Sequence, residues 1–208
     1  MNLSTIIIFS IILIYIVIIT IIRLRHPWLM AEEDKQALYS TMEKVDKTME
    51  ANNIPYFIIC GTLLGAVRHQ EIIPWDDDID IGVFEEDLDR VNNLFKNYVK
   101  FIPASKGGCG KIYANNKVAI DIFPFTKNGT KYEYLEDLAK SKWPGEYFEE
   151  NEMLPLQKNY KLGELTLWGP KQFLPYAERA WGKNWKKPSL KLGKKFIYPD
   201  IAIKMMFM

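Results

Sequence analysis

The chain places four aspartates within five positions, Asp76, Asp77, Asp78 and Asp80. Like charges this close repel, so such a run needs either free solvent or a cation. The segment DIDIGV, residues 78–83, alternates polar and apolar residues in the manner of a β-strand. Residues two apart on a strand share a face, so Asp78 and Asp80 project together while Ile79 and Ile81 turn into a core. Two carboxylates at that spacing suit a hard divalent ion held through oxygen, Mg2+ or Mn2+. Asp121 offers a third carboxylate on a second alternating segment, KVAIDIF at 117–123. There Val118, Ile120 and Ile122 form one face and Asp121 lies on the other. An aspartate inside an otherwise apolar strand is costly unless something pairs with it.

Calcium binding through an EF-hand loop is excluded. Asp76, Asp78 and Asp80 would fill its first, third and fifth positions, but the obligatory glycine falls on Ile81 and the twelfth position is Asp87 rather than glutamate. A solvated acidic turn accounts for Asp76 and Asp77. Gly61-Thr62 lies between an apolar run and a helical stretch. A glycine there lets a ligand approach the backbone, the helix start offers free N–H groups to an anion, and Thr62 adds a hydroxyl.

The elements that must carry these residues are legible in outline. Leu38, Met42, Val45 and Met49 recur at helical spacing, predicting an amphipathic helix over 31–51 that Asn52-Asn53-Ile54-Pro55 ends. YFIIC, 56–60, reads as a buried strand, LLGAVR as a helical turn, and residues 85–98 as a helix. Tyr113 falls on a strand after the GGCG turn, and KVAIDIF is a strand ending at Pro124. Residues 141–160 read as irregular, GELTLW (163–168) as a late strand, and KQFLPYAERAWG as a helix starting at Pro170 or at Pro175. This alternation predicts an α/β or α+β domain on a small mixed sheet flanked by helices.

With 208 residues there is room for one domain and a small appendage. Twenty-seven basic against 26 acidic residues leave a formal charge of +1, which gives no support for nucleic-acid binding. Neither Cys60 nor Cys109 belongs to a disulfide or zinc pattern; both are expected as free thiols, Cys60 as a small buried hydrophobe. Residues 3–22 carry no charge and are dominated by isoleucine, long enough as a helix to cross a bilayer. A cleaved signal peptide is the competing reading, but no small-residue cleavage site follows the run and no basic residue precedes it. A single-span transmembrane anchor at 3–22 and a linker at 23–34 are therefore expected, with Trp28 at the membrane interface. Arg23, Arg25 and His26 favour a cytosolic domain; Asn128-Gly129-Thr130 is a glycosylation triplet for a lumenal one, and the side stays open.

The segment GTLLGAVRHQEIIPWDDDIDIGV, 61–83, resembles the signature of the LicD family, which also includes the fukutin-type enzymes. AIDIFPF and LPLQKNYKLGELTLWGPKQFLPYAERAWGKNW resemble its downstream pattern, so the likeness runs over 35–188 and leaves 189–208 as a tail of unknown role. The resemblance implies a nucleotidyltransferase-like fold. It also implies metal-dependent transfer of a phospho-alcohol, phosphocholine or a pentitol phosphate, from a CDP-linked donor to a hydroxyl of a glycan or glycoconjugate. It maps Gly61 and Thr62 onto a phosphate-contacting turn, Asp78 and Asp80 onto metal ligands, and Asp121 onto the third carboxylate, as ligand or as acceptor of the hydroxyl proton. Arg68 has the planar fork that suits a phosphate, Lys111 is a further phosphate partner, and His69 is read as structural. Two rivals share some of these residues. A membrane-anchored glycosyltransferase would use the Asp-x-Asp pair on a nucleotide-sugar, but only about 50 residues separate the anchor from Asp78, short for its nucleotide-binding domain. A non-catalytic relative would bind glycan or nucleotide without turnover, although all three carboxylates are present.

Overall fold

The computed structural model describes residues 3–25, 30–74, 76–98, 101–105 and 108–186. Helix α1 (Leu3–Arg25) is followed by α2 (Glu32–Ala51), β1 (Tyr56–Ile58), α3 (Cys60–Arg68) and β2 (Asp78–Phe84). A short 3-10 turn, Glu85–Asp87, feeds α4 (Leu88–Phe95). Then come β3 (Phe101–Ile102), β4 (Gly110–Tyr113), β5 (Ala119–Asn128), β6 (Lys131–Tyr134), α5 (Asp137–Lys142), β7 (Phe148–Glu149) and α6 (Glu150–Met153). The chain continues through β8 (Gln157–Leu162), β9 (Leu165–Gly169) and α7 (Leu174–Trp181).

Seven strands form one mixed sheet in the order β1-β2-β5-β4-β3, with β6 joined to β5 and β7 joined to β6; β8 and β9 form a separate hairpin. The pair β2 and β5 is parallel and the other pairs are antiparallel. Parallel neighbours need a long crossover, and here the chain between them supplies α4, β3 and β4. The mixed α/β expectation is met.

Burial of one face of β2 and β5 fixes how the acids point. Ile79, Ile81, Ile120 and Ile122 have no exposed surface, and burying each such side chain contributes about 1.5–3 kcal/mol. A slip of one residue would exchange these isoleucines for aspartates in the core, so the register is strongly determined. Helix α2 covers the core with Leu38, Met42, Val45 and Met49, all fully buried. Gly82 faces Phe57 across the β1–β2 pair, and a Cβ there would lie 2.3 Å from the Phe57 ring. That ring in turn meets Phe125 edge-on at 5.2 Å between centroids.

Several sequence expectations need correction. Cys60 does not end β1; it opens α3 with φ 48°. Strand β5 does not stop at Pro124 but runs to Asn128. Proline is tolerated there because β4 pairs only as far as Ile122 and β6 begins at Phe125, so its missing N–H falls between the two ladders. Residues 141–160 are not irregular: they hold the end of α5, then β7, α6 and the start of β8. Pro175 lies in the first turn of α7, which settles the later of the two helix starts.

The anchor expectation also changes. The side chains of α1 are described at Thr5 and residues 7–18, and those at 7–18 are exposed. Among the described residues no helix is long and apolar enough to cross a membrane, so the expected span at 3–22 lacks structural support. Residues 26–29 of the linker, Trp28 among them, together with Trp75 and the tail at 189–208, lie outside the described residues.

Candidate functional site

Strand register builds the acidic cluster. In the parallel β2–β5 pair Asp80 stands opposite Asp121, and in the antiparallel β4–β5 pair Lys111 stands opposite the same Asp121. The three side chains form a row across adjacent strands, and Asp78 joins it from two residues before Asp80. One ligand oxygen from each of Asp78, Asp80 and Asp121 lies within 4.8 Å of the others. Lys111 Nζ donates to Asp121 Oδ1 at 2.6 Å and also to its second oxygen.

Crowding shows in the protonation equilibria. Burial, then the charges of Asp76 and Asp121, push the Asp78 carboxyl up to about 7. Burial and the neighbouring Asp78 and Asp121 charges push Asp80 well above the usual carboxylate range. Burial raises Asp121 as well, opposed by Lys111. Burial by itself would lower the Lys111 ammonium, but the hydrogen bond and charge of Asp121 raise it. Burial first and then the Asp121 charge also push the half-buried Cys109 thiol up. Three hard oxygen donors that repel one another are the donor set a small divalent cation satisfies, so Asp78, Asp80 and Asp121 could hold such an ion.

Helix α3 begins beside this row. The Ile59 N–H donates to the Asp80 carbonyl at 3.2 Å, and the Asp80 N–H donates to Thr62 Oγ1 at 2.8 Å. Thr62 is therefore a fastener of the acidic strand as well as a hydroxyl at the helix start, a role its sequence position did not announce. The first N–H groups of α3 have no acceptor within the helix, which suits an anion. Gly61 has a structural reason beyond ligand approach: a Cβ there would sit 2.3 Å from Asp76 Oδ2. Asp76 thus belongs to the wall of the site, and the solvated-turn reading fails for it.

The remaining candidates separate. Lys111 joins the row. Arg68 does not: its Nε donates to His69 Nδ1 at 3.3 Å and its Nη1 to the Trp185 carbonyl at 3.4 Å. Burial lowers its pKa, and Asp76 opposes the shift. Both cysteines are free thiols, as expected. Cys60 is tied to Tyr134 and Glu146, two residues that sequence reasoning passed over because Glu146 sits in a stretch without periodicity.

Residues 53–172 match the family described as LicD/FKTN/FKRP, nucleotidyltransferase domain. The chain is 37% identical over 142 residues to the uncharacterized protein RT0683 of Rickettsia typhi, covering 68% of this chain and 44% of that protein. It is 30% identical over 134 residues to the ribitol 5-phosphate transferase FKRP of Mus musculus, covering 58% and 27% respectively. A 41-residue stretch is 46% identical to the lipopolysaccharide cholinephosphotransferase LicD of Haemophilus influenzae, covering 20% and 16%. The chain spans less than half the length of these three relatives. Among solved structures, that of the antibiotic-resistance factor ANT(2'')-Ia superposes with a TM-score of 0.48 at 14% identity, over 65% of this chain and 66% of that one. With more than half of its residues inside the family match, the chain belongs to the LicD/FKTN/FKRP nucleotidyltransferase-domain family.

Proposed function

We propose that this protein transfers a phospho-alcohol, phosphocholine or a pentitol phosphate, from a CDP-linked donor to a hydroxyl of a glycan or glycoconjugate. The observation that carries the reading is the convergence of Asp78, Asp80 and Asp121 beside the first turn of α3. The acceptor hydroxyl oxygen forms a bond to the phosphorus that bears the alcohol, and its proton passes to solvent water. The bond from that phosphorus to the bridging oxygen breaks, and CMP leaves. Asp78, Asp80 and Asp121 would hold Mg2+ or Mn2+, which supplies charge neutralisation for the diphosphate and for the departing CMP. Asp121 takes a ligand role in this scheme, because Lys111 on both its oxygens opposes protonation. The α3 N–H groups at Gly61 and Thr62 orient the donor phosphates, and Lys111 offers them a positive charge. Arg68 feels the charge of Asp76 in the wall of the site, and its planar fork suits a donor phosphate.

The proposal retains α1 as a membrane anchor, supported by an uncharged isoleucine-rich run with exposed side chains at 7–18, and assigns no side to the domain. Alkaline carbonate extraction of cell membranes tests the anchor: release of the full chain into the supernatant removes it. For the chemistry, the full chain is incubated with Mn2+ and CDP-choline, CDP-ribitol or a panel of nucleotide-sugars. CMP release from a CDP-alcohol in the presence of acceptor glycan is expected. Turnover confined to nucleotide-sugars favours a glycosyltransferase, and donor binding with no turnover favours a binding protein.

A further inference from the structure

Cys60 opens α3 with φ 48°, in the left-handed region where a residue other than glycine is strained. It lies between the two bonds that fasten the α3 turn to Asp80, from Ile59 and to Thr62. Its side chain is held from outside the turn. The thiol donates to Glu146 Oε2 at 3.1 Å and lies 2.9 Å from the Tyr134 oxygen, while the Tyr134 hydroxyl donates to the same Oε2 at 2.7 Å. Three groups from the start of α3, the end of β6 and the turn after α5 close a triangle.

Both outer corners are themselves fixed. Tyr134 is 1% exposed and packs against Phe125 at 4.6 Å and Trp143 at 5.9 Å between ring centroids. The Glu146 N–H donates to the Trp143 carbonyl at 3.0 Å. Gly145 lies so close to α7 that a Cβ there would be 2.7 Å from the Arg179 carbonyl oxygen. Burial raises the Glu146 pKa, and the bonds from Tyr134 and Cys60 oppose that shift.

We propose that Glu146 and Tyr134 are a positioning pair for the donor-phosphate turn: acting through the Cys60 thiol, they hold the left-handed backbone at residue 60 and so aim the Gly61 and Thr62 N–H groups at the diphosphate. The inference rests on the reading of that turn given under the proposed function. Both bonds fall on Oε2 of Glu146, which ties that oxygen to the turn.

The test uses the full chain in mild detergent, titrated calorimetrically with CDP at saturating Mn2+. Near-UV circular dichroism verifies that each variant is folded. Glu146→Ala releases the strained residue and raises the Kd for CDP about tenfold, the scale of one such backbone strain. Adding Cys60→Gly to that variant restores the Kd to within about threefold, because glycine enters the left-handed region freely. Tyr134→Phe deletes one hydroxyl and keeps the ring packing; its smaller loss is recovered by Cys60→Gly in the same way, which carries the test if Glu146→Ala does not fold. The inference is overturned if folded Glu146→Ala binds CDP as wild type does, or if glycine at 60 rescues neither variant. Wild type that binds no CDP overturns the donor reading instead. Amide exchange at 60–62 then decides the inference alone, faster in Glu146→Ala and slowed again by Cys60→Gly if it holds, unchanged if it does not.

Discussion

Replacing Asp78 by asparagine should stabilise the metal-free protein, and by an amount that depends on pH. In the fold this carboxyl is raised from 3.8 to about 7. A raised acid binds its proton more tightly folded than unfolded. Its contribution to stability is therefore complete below about pH 4 and is lost as pH rises toward 7. Two routes give the size. A shift of that extent corresponds to about 4 kcal/mol. One pair of carboxylate oxygens no more than 4.8 Å apart repels by at least about 3.5 kcal/mol at an effective dielectric constant near 20. Asp78 is only partly buried and its titration is shared with neighbours, so about 2–4 kcal/mol is the expected cost at pH 8. That is about 5–15 °C in Tm for a domain of this size. Thermal unfolding of the full chain in detergent with EDTA should show wild type losing stability from pH 5 to pH 8 while Asp78→Asn stays flatter and melts higher at pH 8. Saturating Mn2+ should reverse the order, adding about 3 kcal/mol to wild type at a hundredfold excess over Kd and far less to the variant. Parallel pH profiles for the two proteins, with equal shifts on adding Mn2+, would refute the clustered-carboxylate argument.

Three further outcomes follow from the same geometry. Asp80→Asn and Asp121→Asn should each lower CMP release by at least about a hundredfold, the scale of losing a principal electrostatic group, while near-UV circular dichroism stays native; rates near wild type in either would remove that residue from the site. Thr62→Val keeps the shape but strips the acceptor from the Asp80 N–H, and should cost about 1–3 kcal/mol in urea unfolding. A neutral effect would mean that bond is dispensable. Gly61→Ala forces the Asp76 carboxylate away from a Cβ that would otherwise sit 2.3 Å from it, costing about 1–3 kcal/mol. Asp76→Ala in the same chain should recover most of that loss, as read by thermal unfolding, and no recovery would show that the clash lies elsewhere.

How much of this was readable beforehand depended on the range of the interaction. Asp78 and Asp80 share a face because they are two apart on a strand, a local property that alternation reveals. The pairing of Ile79 with Ile81 and of Ile120 with Ile122 in the core was visible for the same reason. Pro124 is a local stop signal, and only the gap between its two neighbouring ladders lets β5 run past it. Nothing in the sequence around Asp76 announces that it lies against Gly61.

The chain's own order of residues determined the family, the two acid-bearing strands and the glycine-led helix, since periodicity and a long motif are written in consecutive positions. Tertiary structure alone decided that Asp80, Asp121 and Lys111 fall in one row, that Arg68 turns to Trp185, and that Glu146 and Tyr134 grip Cys60. These are matters of register between distant strands and of which surfaces pack together. They are fixed by burial of apolar faces over the whole domain and leave no periodic trace along the chain.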